Sequence, residues 1–282
     1  MNRRGRDIRG AIFRVLLLAS LAVAFLTLGT LLVDVAGKGF DFLDPRFFQN
    51  PPSTDPHQAG ARPAILATAY LGVLLLLFTV PLGVGTAIYL EEYADKNRWY
   101  NRLLEVNIQN LAAVPSIVYG ILGLAFIVRG LGLGRVVLAG ALILTLLVLP
   151  TVIIAAREAI RAVPDSIRQA AFALGATRWQ VVSRQVLPAA IPGIATGSIL
   201  ALSRGVGETA PLLMIGALTY VAFDPTVLGP FTALPVQIYN WTSQPQEDFL
   251  KLAATGIIVL LGMLLTLNAV AIWLRNRYER RW

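Results

Sequence analysis

The sequence contains no cysteine and a single histidine, His57, in 282 residues. The missing cysteine excludes structural disulfides and cysteine-ligated metal sites. A lone histidine in a proline-rich segment is more often solvated than a metal ligand, so we expect neither a metal nor a cofactor in this chain. Charge is scarce as well, since charged residues make up 14% of the chain against 56% hydrophobic residues. A soluble domain of this length needs far more polar surface to cover its core.

The apolar residues form long uncharged runs. A helix rises about 1.5 Å per residue, so about 20 apolar residues cross a hydrocarbon core of about 30 Å. Five runs of about this length contain no charged residue, and a sixth stretch, 185–223, is interrupted only by Arg204 and Glu208. The sequence therefore predicts an all-α polytopic membrane protein with six transmembrane helices. The five uninterrupted runs are 15–33, 63–90, 106–128, 136–156 and 252–274.

The expected helices divide the chain into three parts. Residues 1–62 hold the first helix and an extracytoplasmic loop, 63–275 form the main transmembrane domain with a cytoplasmic loop at 157–188, and 276–282 form a basic cytoplasmic tail. The first run exceeds the apolar core of about 7–15 residues in a signal peptide, and no small-residue cleavage site precedes Lys38, so we expect an uncleaved helix. The six helices are expected at 12–36, 63–90, 103–128, 136–156, 188–218 and 250–274.

Local composition predicts features of three segments. The proline-rich segment 37–62 is typical of an irregular loop rather than a packed unit. Tyr239 and Trp241, in a later outside segment, are aromatic residues of the kind that lie at the level of the lipid headgroups. Pro81, Gly83 and Gly85 predict a kink or a close helix contact within the second span.

The distribution of basic residues indicates the orientation. Six crossings bring both termini to the same side of the membrane. With the termini in the cytoplasm, 17 lysines and arginines lie inside and 6 outside, as the positive-inside rule requires. The net charge of +8 is thus explained by the basic residues on the cytoplasmic side of the membrane, and no nucleic-acid partner is expected. The inside residues are Arg3, Arg4, Arg6, Arg9, Arg14, Lys96, Arg98, Arg102, Arg157, Arg161, Arg168, Arg178, Arg184, Arg275, Arg277, Arg280 and Arg281, and the outside residues are Lys38, Arg46, Arg62, Arg129, Arg135 and Lys251.

The inside loop 157–188 has the pattern of two short helices. Gly175 interrupts the first helix, and Thr177 with Gln180 forms a capping box that begins a second. Two amphipathic helices joined at a glycine form a rigid knob that another protein could approach closely, although a helix pair lying on the headgroups fits the same pattern. Four residues share one face of the first helix: Ile167, Ala170, Ala171 and Leu174.

The same loop reads Gln-Ala-Ala-Phe-Ala-Leu-Gly over 169–175 and, nine residues later, Gln-Val-Leu-Pro over 185–188. This spacing resembles the E-A-A-x3-G-x9-I-x-L-P coupling motif of ABC importer permeases, in which the loop docks into a cleft of the cytosolic ATPase. The chain departs from that motif at Gln169, which replaces an acidic residue, and at Gln185, which replaces an aliphatic one. The resemblance implies the type I ABC importer permease fold and assigns ATPase coupling to Gln169, Ala170, Ala171, Gly175, Leu187 and Pro188.

Arg204 and Glu208 form a charged pair within the fifth expected span. A charge near the bilayer midplane costs about 2.5–3.5 kcal/mol on insertion scales, and such residues mark substrate paths by default. At a spacing of four residues the two side chains share a helix face and can pair, so one hypothesis is a self-neutralising structural lock. The other is that Arg204 attracts a tetrahedral oxyanion while Glu208 accepts a hydrogen bond from a P–OH group, which phosphate carries and sulfate lacks.

The run Ser-Arg-Gly-Val-Gly-Glu-Thr-Ala-Pro-Leu-Leu over 203–213 resembles the A-type permease subunits of high-affinity phosphate importers, with further agreement at 157–159, 174–179, 234–239 and Asn268. The resemblance covers about residues 63–275. It implies a phosphate translocation path shared with a sister permease, a cytosolic ABC ATPase dimer that binds ATP and Mg²⁺, an extracytoplasmic phosphate-binding protein, and the cytoplasmic membrane of a bacterium or archaeon. The chain itself has no phosphate-binding loop of the Gly-x4-Gly-Lys-Ser/Thr type, so we expect a transport subunit and not an enzyme.

Other functions remain open at this point. A permease of the same class for molybdate, sulfate or an organic solute would share the loop and the fold. An ion-coupled secondary transporter could use Arg204 and Glu208 as a proton relay, but it leaves the cytoplasmic knob unexplained. An intramembrane enzyme lacks support, because the spans contain no Ser/His, His-Glu-x-x-His or paired-Asp arrangement.

Overall fold

A computed structural model describes residues 3–95, 97–217 and 220–278, and these ranges are helical throughout their membrane-spanning parts. The helices are α1 (Arg3–Gly39), α2 (Pro45–Gln49), α3 (Arg62–Ile88), α4 (Trp99–Ala112), α5 (Ser116–Gly123), α6 (Val137–Arg161), α7 (Asp165–Ala173), α8 (Arg178–Val181), α9 (Leu187–Val206), α10 (Ala210–Met214), α11 (Leu234–Thr242) and α12 (Glu247–Tyr278). Wider π-helical turns extend three of them, at Tyr89–Tyr93, Leu124–Gly130 and Val182–Val186, and a 3₁₀ turn lies at Phe40–Phe42. Lys96 and residues 279–282 of the expected basic tail lie outside the described residues.

Helices α3, α6 and α9 form the centre of the molecule, and small residues set their close approach. A Cβ atom on Gly83 of α3 would lie 2.7 Å from Val152 of α6, which confirms the close contact expected there. A Cβ atom on Gly197 of α9 would clash with the Ala155 side chain of α6. Nearer the other end of α9, Gly205 faces Val148, so α9 runs antiparallel to α6.

The third expected span is not one straight helix. The expectation of a single helix over 103–128 is wrong, because α4 and α5 meet at an angle of 104°. The cause is Pro115, which lacks an N–H group and disfavours helical backbone at Val114. The uncharged run hides this break, since hydropathy does not distinguish a straight span from a bent one.

The bent pair nevertheless completes six crossings. The turn after α3 and the end of α6 lie on the same side, because Glu91 and Arg157 form an ion pair with a distance of 2.8 Å. Helix α6 begins on the opposite side, so α4 and α5 together must carry the chain back across the membrane. Among the described residues five helices are long and apolar enough to span alone, and the bent pair is the sixth crossing. The expected fold class and the placement of both termini on one side agree with this path.

The fifth expected span ends early. A continuous helix over 188–218 is wrong, because α9 stops at Val206 and a separate one-turn helix, α10, begins at Ala210. Pro211 lies four residues beyond Gly207 and cannot donate to its carbonyl, so the helical ladder cannot continue through this point. Residues 218 and 219 lie outside the described residues.

The outer segment 37–62 is packed, contrary to the expectation of an irregular loop. Asp44 accepts a hydrogen bond from the Phe47 N–H at 3.1 Å and thereby caps the short helix α2. The Phe47 ring is buried against Trp241, with 5.9 Å between ring centroids. Trp241 therefore lies in a protein core, whereas Tyr239 is exposed.

Helix α1 lies at the edge of the molecule. Its apolar residues from Ile12 to Val33 are all exposed, and α1 packs against α12 among the described elements. The contact is close at the outer end, where the Thr255 hydroxyl donates to the Gly39 carbonyl at 2.6 Å. The helix is longer than the expected 12–36 at both ends.

Candidate functional site

The inside loop folds as two short helices joined at a glycine, as expected. Gly175 has φ of +79°, a left-handed backbone that residues with a Cβ adopt at a cost. The capping box is complete: the Thr177 N–H donates to the Gln180 side-chain oxygen at 2.8 Å, and the Gln180 N–H donates to the Thr177 hydroxyl at 3.4 Å. The helices α7 and α8 are thus held at a fixed elbow.

One side of this elbow packs on the membrane helices and the other is open. Ile167 and Ala171 pack against a core formed by the inner ends of α6 and α9. In contrast, Leu174 is 89% exposed, and Trp179 is also exposed. Leu174 therefore does not share the buried face, although the helical spacing grouped it with Ile167. Among the residues assigned to ATPase coupling, Gln169, Ala170 and Gly175 are exposed, and Ala171, Leu187 and Pro188 are partly buried.

A network of buried ion pairs lies above the elbow, at the inner ends of α3, α4 and α6. The Arg157 guanidinium donates to Glu91 at 2.9 Å and to Glu105 at 2.8 Å. Arg161 donates to the same Glu91 oxygen at 2.7 Å. The side chains of Arg157 and Glu91 are both less than 10% exposed. Sequence reasoning counted these arginines only as markers of the cytoplasmic side and missed their partners.

Arg204 and Glu208 lie where α9 ends. Gly205, the neighbour of Arg204, packs against Val148 and Leu75, which lie halfway along α6 and α3, so the pair is at mid-depth as expected. The Arg204 Nε atom is 3.4 Å from the nearer Glu208 oxygen. The Arg204 side chain is 67% exposed and that of Glu208 19%. Among the described residues the Arg204 guanidinium makes no other hydrogen bond, so its Nη donors remain available.

Polar contacts beside Arg204 tie α9 to α12. The Ser203 hydroxyl bonds to the side-chain oxygen of Asn268 and to the Ile199 carbonyl. Two helical turns further inward, Arg275 donates to the Thr196 hydroxyl at 2.8 Å. Asn268 was known from the sequence only as a point of resemblance, and its partner is 65 positions away. The two contacts fix the helix that carries Arg204 against α12.

Comparison with known proteins identifies the family. Residues 79–282 match the family described as the binding-protein-dependent transport system inner membrane component. The phosphate transport system permease protein PstA of Yersinia pestis is 34% identical over 264 residues, which is 91% of this chain and 86% of that protein. PstA 1 of Mycobacterium tuberculosis (strain CDC 1551 / Oshkosh) is 35% identical over 225 residues, 79% of this chain and 72% of that protein.

Solved structures agree with the fold. The crystal structure of a bacterial ABC transporter involved in the import of the acidic polysaccharide alginate matches with a TM-score of 0.68 at 19% identity, over 99% of this chain and 100% of that chain. At this identity the match concerns the fold alone. The family match covers more than half of the chain, and the relatives named above are more than 30% identical over most of its length. This multi-pass membrane protein therefore belongs to the permease family of binding-protein-dependent ABC transporters and has the type I ABC importer permease fold.

Proposed function

We propose that this chain is the permease subunit of an ATP-driven importer of inorganic phosphate in the cytoplasmic membrane of a bacterium or archaeon. The observation that carries the proposal is the open Arg204–Glu208 pair at mid-depth, in a chain whose relatives include proteins named as phosphate permeases. An arginine with available donors at this depth is suited to a tetrahedral oxyanion, because its planar fork forms paired hydrogen bonds with two oxygens.

Glu208 supplies selectivity in this proposal. A carboxylate accepts hydrogen bonds and does not donate them. Phosphate near neutral pH carries P–OH groups that can donate to Glu208, whereas sulfate has no such group. The pair then attracts the anion through Arg204 and admits the protonated form through Glu208, which also repels a fully ionised oxyanion.

The exposure of Arg204 supports a sister permease. A guanidinium that is 67% exposed at mid-depth is costly if it faces hydrocarbon. Its open side therefore faces a water-filled cavity closed by a second membrane protein, and we assign that role to a sister phosphate permease subunit. The two chains form the translocation path between them.

Two further partners complete the proposed machine. The exposed Leu174 and Trp179 at the cytoplasmic elbow support docking of a cytosolic ABC ATPase dimer, to which Gln169, Ala170 and Gly175 offer a small-residue surface. That ATPase binds ATP and Mg²⁺, and we assign no cofactor to this chain. An extracytoplasmic phosphate-binding protein delivers the cargo to the packed outer face.

Uptake by the purified complex in proteoliposomes tests the cargo and the filter together. Labelled phosphate is offered with ATP inside or outside the vesicles, and sulfate, molybdate and arsenate are the competitors. We expect phosphate uptake with weak sulfate competition, and we expect Glu208→Gln to admit sulfate. If Glu208→Gln leaves both phosphate uptake and sulfate exclusion unchanged, the filter is wrong. If the unaltered complex transports sulfate or molybdate instead of phosphate, the cargo assignment is wrong although the class stands.

A further inference from the structure

Arg168, in the first elbow helix α7, uses its whole guanidinium within the chain. Its side chain is 16% exposed and contacts two other elements, the turn after α3 and the end of α6. The guanidinium has five N–H groups, and the structure gives five hydrogen bonds to it. Nε donates to Glu92 at 3.1 Å, Nη2 donates to Glu92 at 2.8 Å and to the Ile160 carbonyl at 2.9 Å, and Nη1 donates to the Val163 carbonyl at 2.6 Å and to Asp165 at 3.2 Å.

The acceptors join Arg168 to parts of the chain that are distant in sequence. Glu92 lies 76 positions earlier, in the π-helical turn Tyr89–Tyr93, and its side chain is only 9% exposed. The Ile160 and Val163 carbonyls lie at the C-terminal end of α6, where a cation complements the helix dipole. A lysine cannot reproduce this set, because its ammonium has three donors and no planar fork.

The turn that holds Glu92 is itself tied to α6. Glu91, its neighbour, accepts from Arg157 and Arg161. Consecutive glutamates of one π-helical turn therefore engage two different elements, α6 through Glu91 and α7 through Glu92. A π-helical turn is wider than an α-helical one and often marks a functional position.

From this turn α3 runs without a break to the level of Arg204. It is one helix from Arg62 to Ile88, and Leu75 at its middle packs against Gly205. A displacement of α7 that reaches Glu92 is thus delivered by a continuous helix to the residue next to Arg204. This route passes through described contacts at each step.

We propose that Arg168 is a positioning residue that transmits movement of the cytoplasmic elbow to α3 through Glu92. The proposal rests on the proposed function only in requiring an ATPase that moves the elbow, and it does not depend on which anion is carried. Removing the Arg168–Glu92 contact, called the link below, should leave ATP hydrolysis by the ATPase intact. The accessibility of the cavity beside Arg204 should then no longer change with nucleotide.

The absence of cysteine allows a test that uses no cargo. A single cysteine replaces Leu200, an exposed residue of α9 one turn from Arg204, in the complex purified with its partners. Its labelling by a membrane-impermeant maleimide is measured with and without ATP and vanadate. The protein with the Arg168–Glu92 contact intact is compared with the variants Arg168→Met and Glu92→Gln. The matched control is Arg98→Met, which replaces an exposed cytoplasmic arginine.

With the link intact and in the Arg98→Met control, nucleotide should change the labelling rate. Arg168→Met and Glu92→Gln should reduce that change by about tenfold, within the usual range of coupling between two sites, while the complex still assembles and hydrolyses ATP. Arg168→Lys should fall between, because it keeps the charge but loses two donors, and it provides the readout if Arg168→Met does not assemble.

Three outcomes overturn the proposal. The first is an unchanged nucleotide response in Arg168→Met or Glu92→Gln. The second is a parallel loss of assembly and ATP hydrolysis in all three link variants, which would mean that Arg168 only holds the fold. The third is no nucleotide response at position 200 in the complex with the link intact, since then nothing reaches this depth. Failure of phosphate uptake with a normal labelling response would reject the cargo alone.

Discussion

The chain contains two arginine–glutamate arrangements that differ in how completely they are closed. At the cytoplasmic ends of α3 and α6, Arg157 and Glu91 are buried and meet at 2.8 Å. At mid-depth, Arg204 and Glu208 are 3.4 Å apart, and two thirds of the Arg204 side chain is exposed. The same residue types thus form a buried cluster in one place and an open, solvent-accessible pair in the other.

The difference separates structural charge from available charge. In the buried cluster the ion pairs and hydrogen bonds offset the cost of desolvation, and removing one member leaves an uncompensated buried charge. In the open pair the donors are not consumed by the fold, so a ligand or a neighbouring chain can take them. Depth in the membrane alone would suggest that the Arg204–Glu208 pair is the more completely bonded of the two, because a charge is most costly at mid-depth.

The largest expected effect is on stability, at the closed cluster. Arg157→Met leaves Glu91 and Glu105 without their shared guanidinium and should cost about 3–5 kcal/mol. Arg161→Met, at a side chain that is 51% exposed and bonded to the same Glu91, should cost less than about 1 kcal/mol. Thermal unfolding of the purified complex in detergent measures both. Equal losses of stability in the two variants would contradict the expectation that the buried Arg157 contributes more than the exposed Arg161.

The second effect is on transport, at the open pair. Arg204→Met should lower phosphate uptake by about 100-fold, equivalent to roughly 3 kcal/mol of charged hydrogen bonding to the anion. Thermal stability should change little, because the fold does not consume the Arg204 donors. Arg129→Met, an exposed arginine of the outer side, is the matched control and should transport normally. Normal uptake by Arg204→Met would make the pair a structural lock.

The third effect concerns the elbow that lies below the closed cluster. Gly175→Ala forces a Cβ into a left-handed backbone and should cost about 1–2 kcal/mol. Gly85→Ala, in α3 with open space around the new methyl group, should be neutral or stabilising by up to about 1 kcal/mol. Unfolding measurements on the two variants compare them directly. A stable Gly175→Ala would show that the elbow can bend in another way and does not need its glycine.

The smallest effect is expected beside the open pair. Asn268→Leu removes the contact with Ser203 and should cost about 0.6–1.7 kcal/mol, the range for hydrogen bonds between membrane helices. Phosphate uptake should fall modestly, because Arg204 keeps its donors but α9 is held less firmly. A loss of uptake as large as that of Arg204→Met would instead place Asn268 in the path itself.

The elements that sequence reasoning predicted correctly are those with a local signal. The six crossings follow from uncharged runs, and the elbow follows from Gly175 and the Thr177–Gln180 capping box, whose spacing is three residues. Each signal lies within the segment that it describes. The close contact expected from the glycines of the second span is confirmed at Gly83, whereas a Cβ atom on Gly85 would meet nothing within 4 Å, so the residue type alone does not locate the contact.

The elements that were missed depend on interactions or breaks that local patterns do not encode. Pro115 lies inside an uncharged run of 23 residues, so the bend between α4 and α5 was invisible to hydropathy. The uninterrupted helix expected over 188–218 gave no sign that α9 ends at Val206. The partners of Arg168 and Arg157 lie 76 and 66 positions away, and no spacing rule connects such residues. The packing of Phe47 on Trp241 is long-range in the same way.

The peripheral position of α1 has a consequence for how the protein is built. Helices associate in a bilayer through packing and polar contacts, since lipid tails are as apolar as the side chains that they replace. Helix α1 is exposed from Ile12 to Val33 and gains little from such packing there, and its contact with Thr255 is at one end, at Gly39. We therefore expect α1 to be held to α12 mainly at its outer end, so that lipid or a neighbouring chain sets its position over the rest of the membrane.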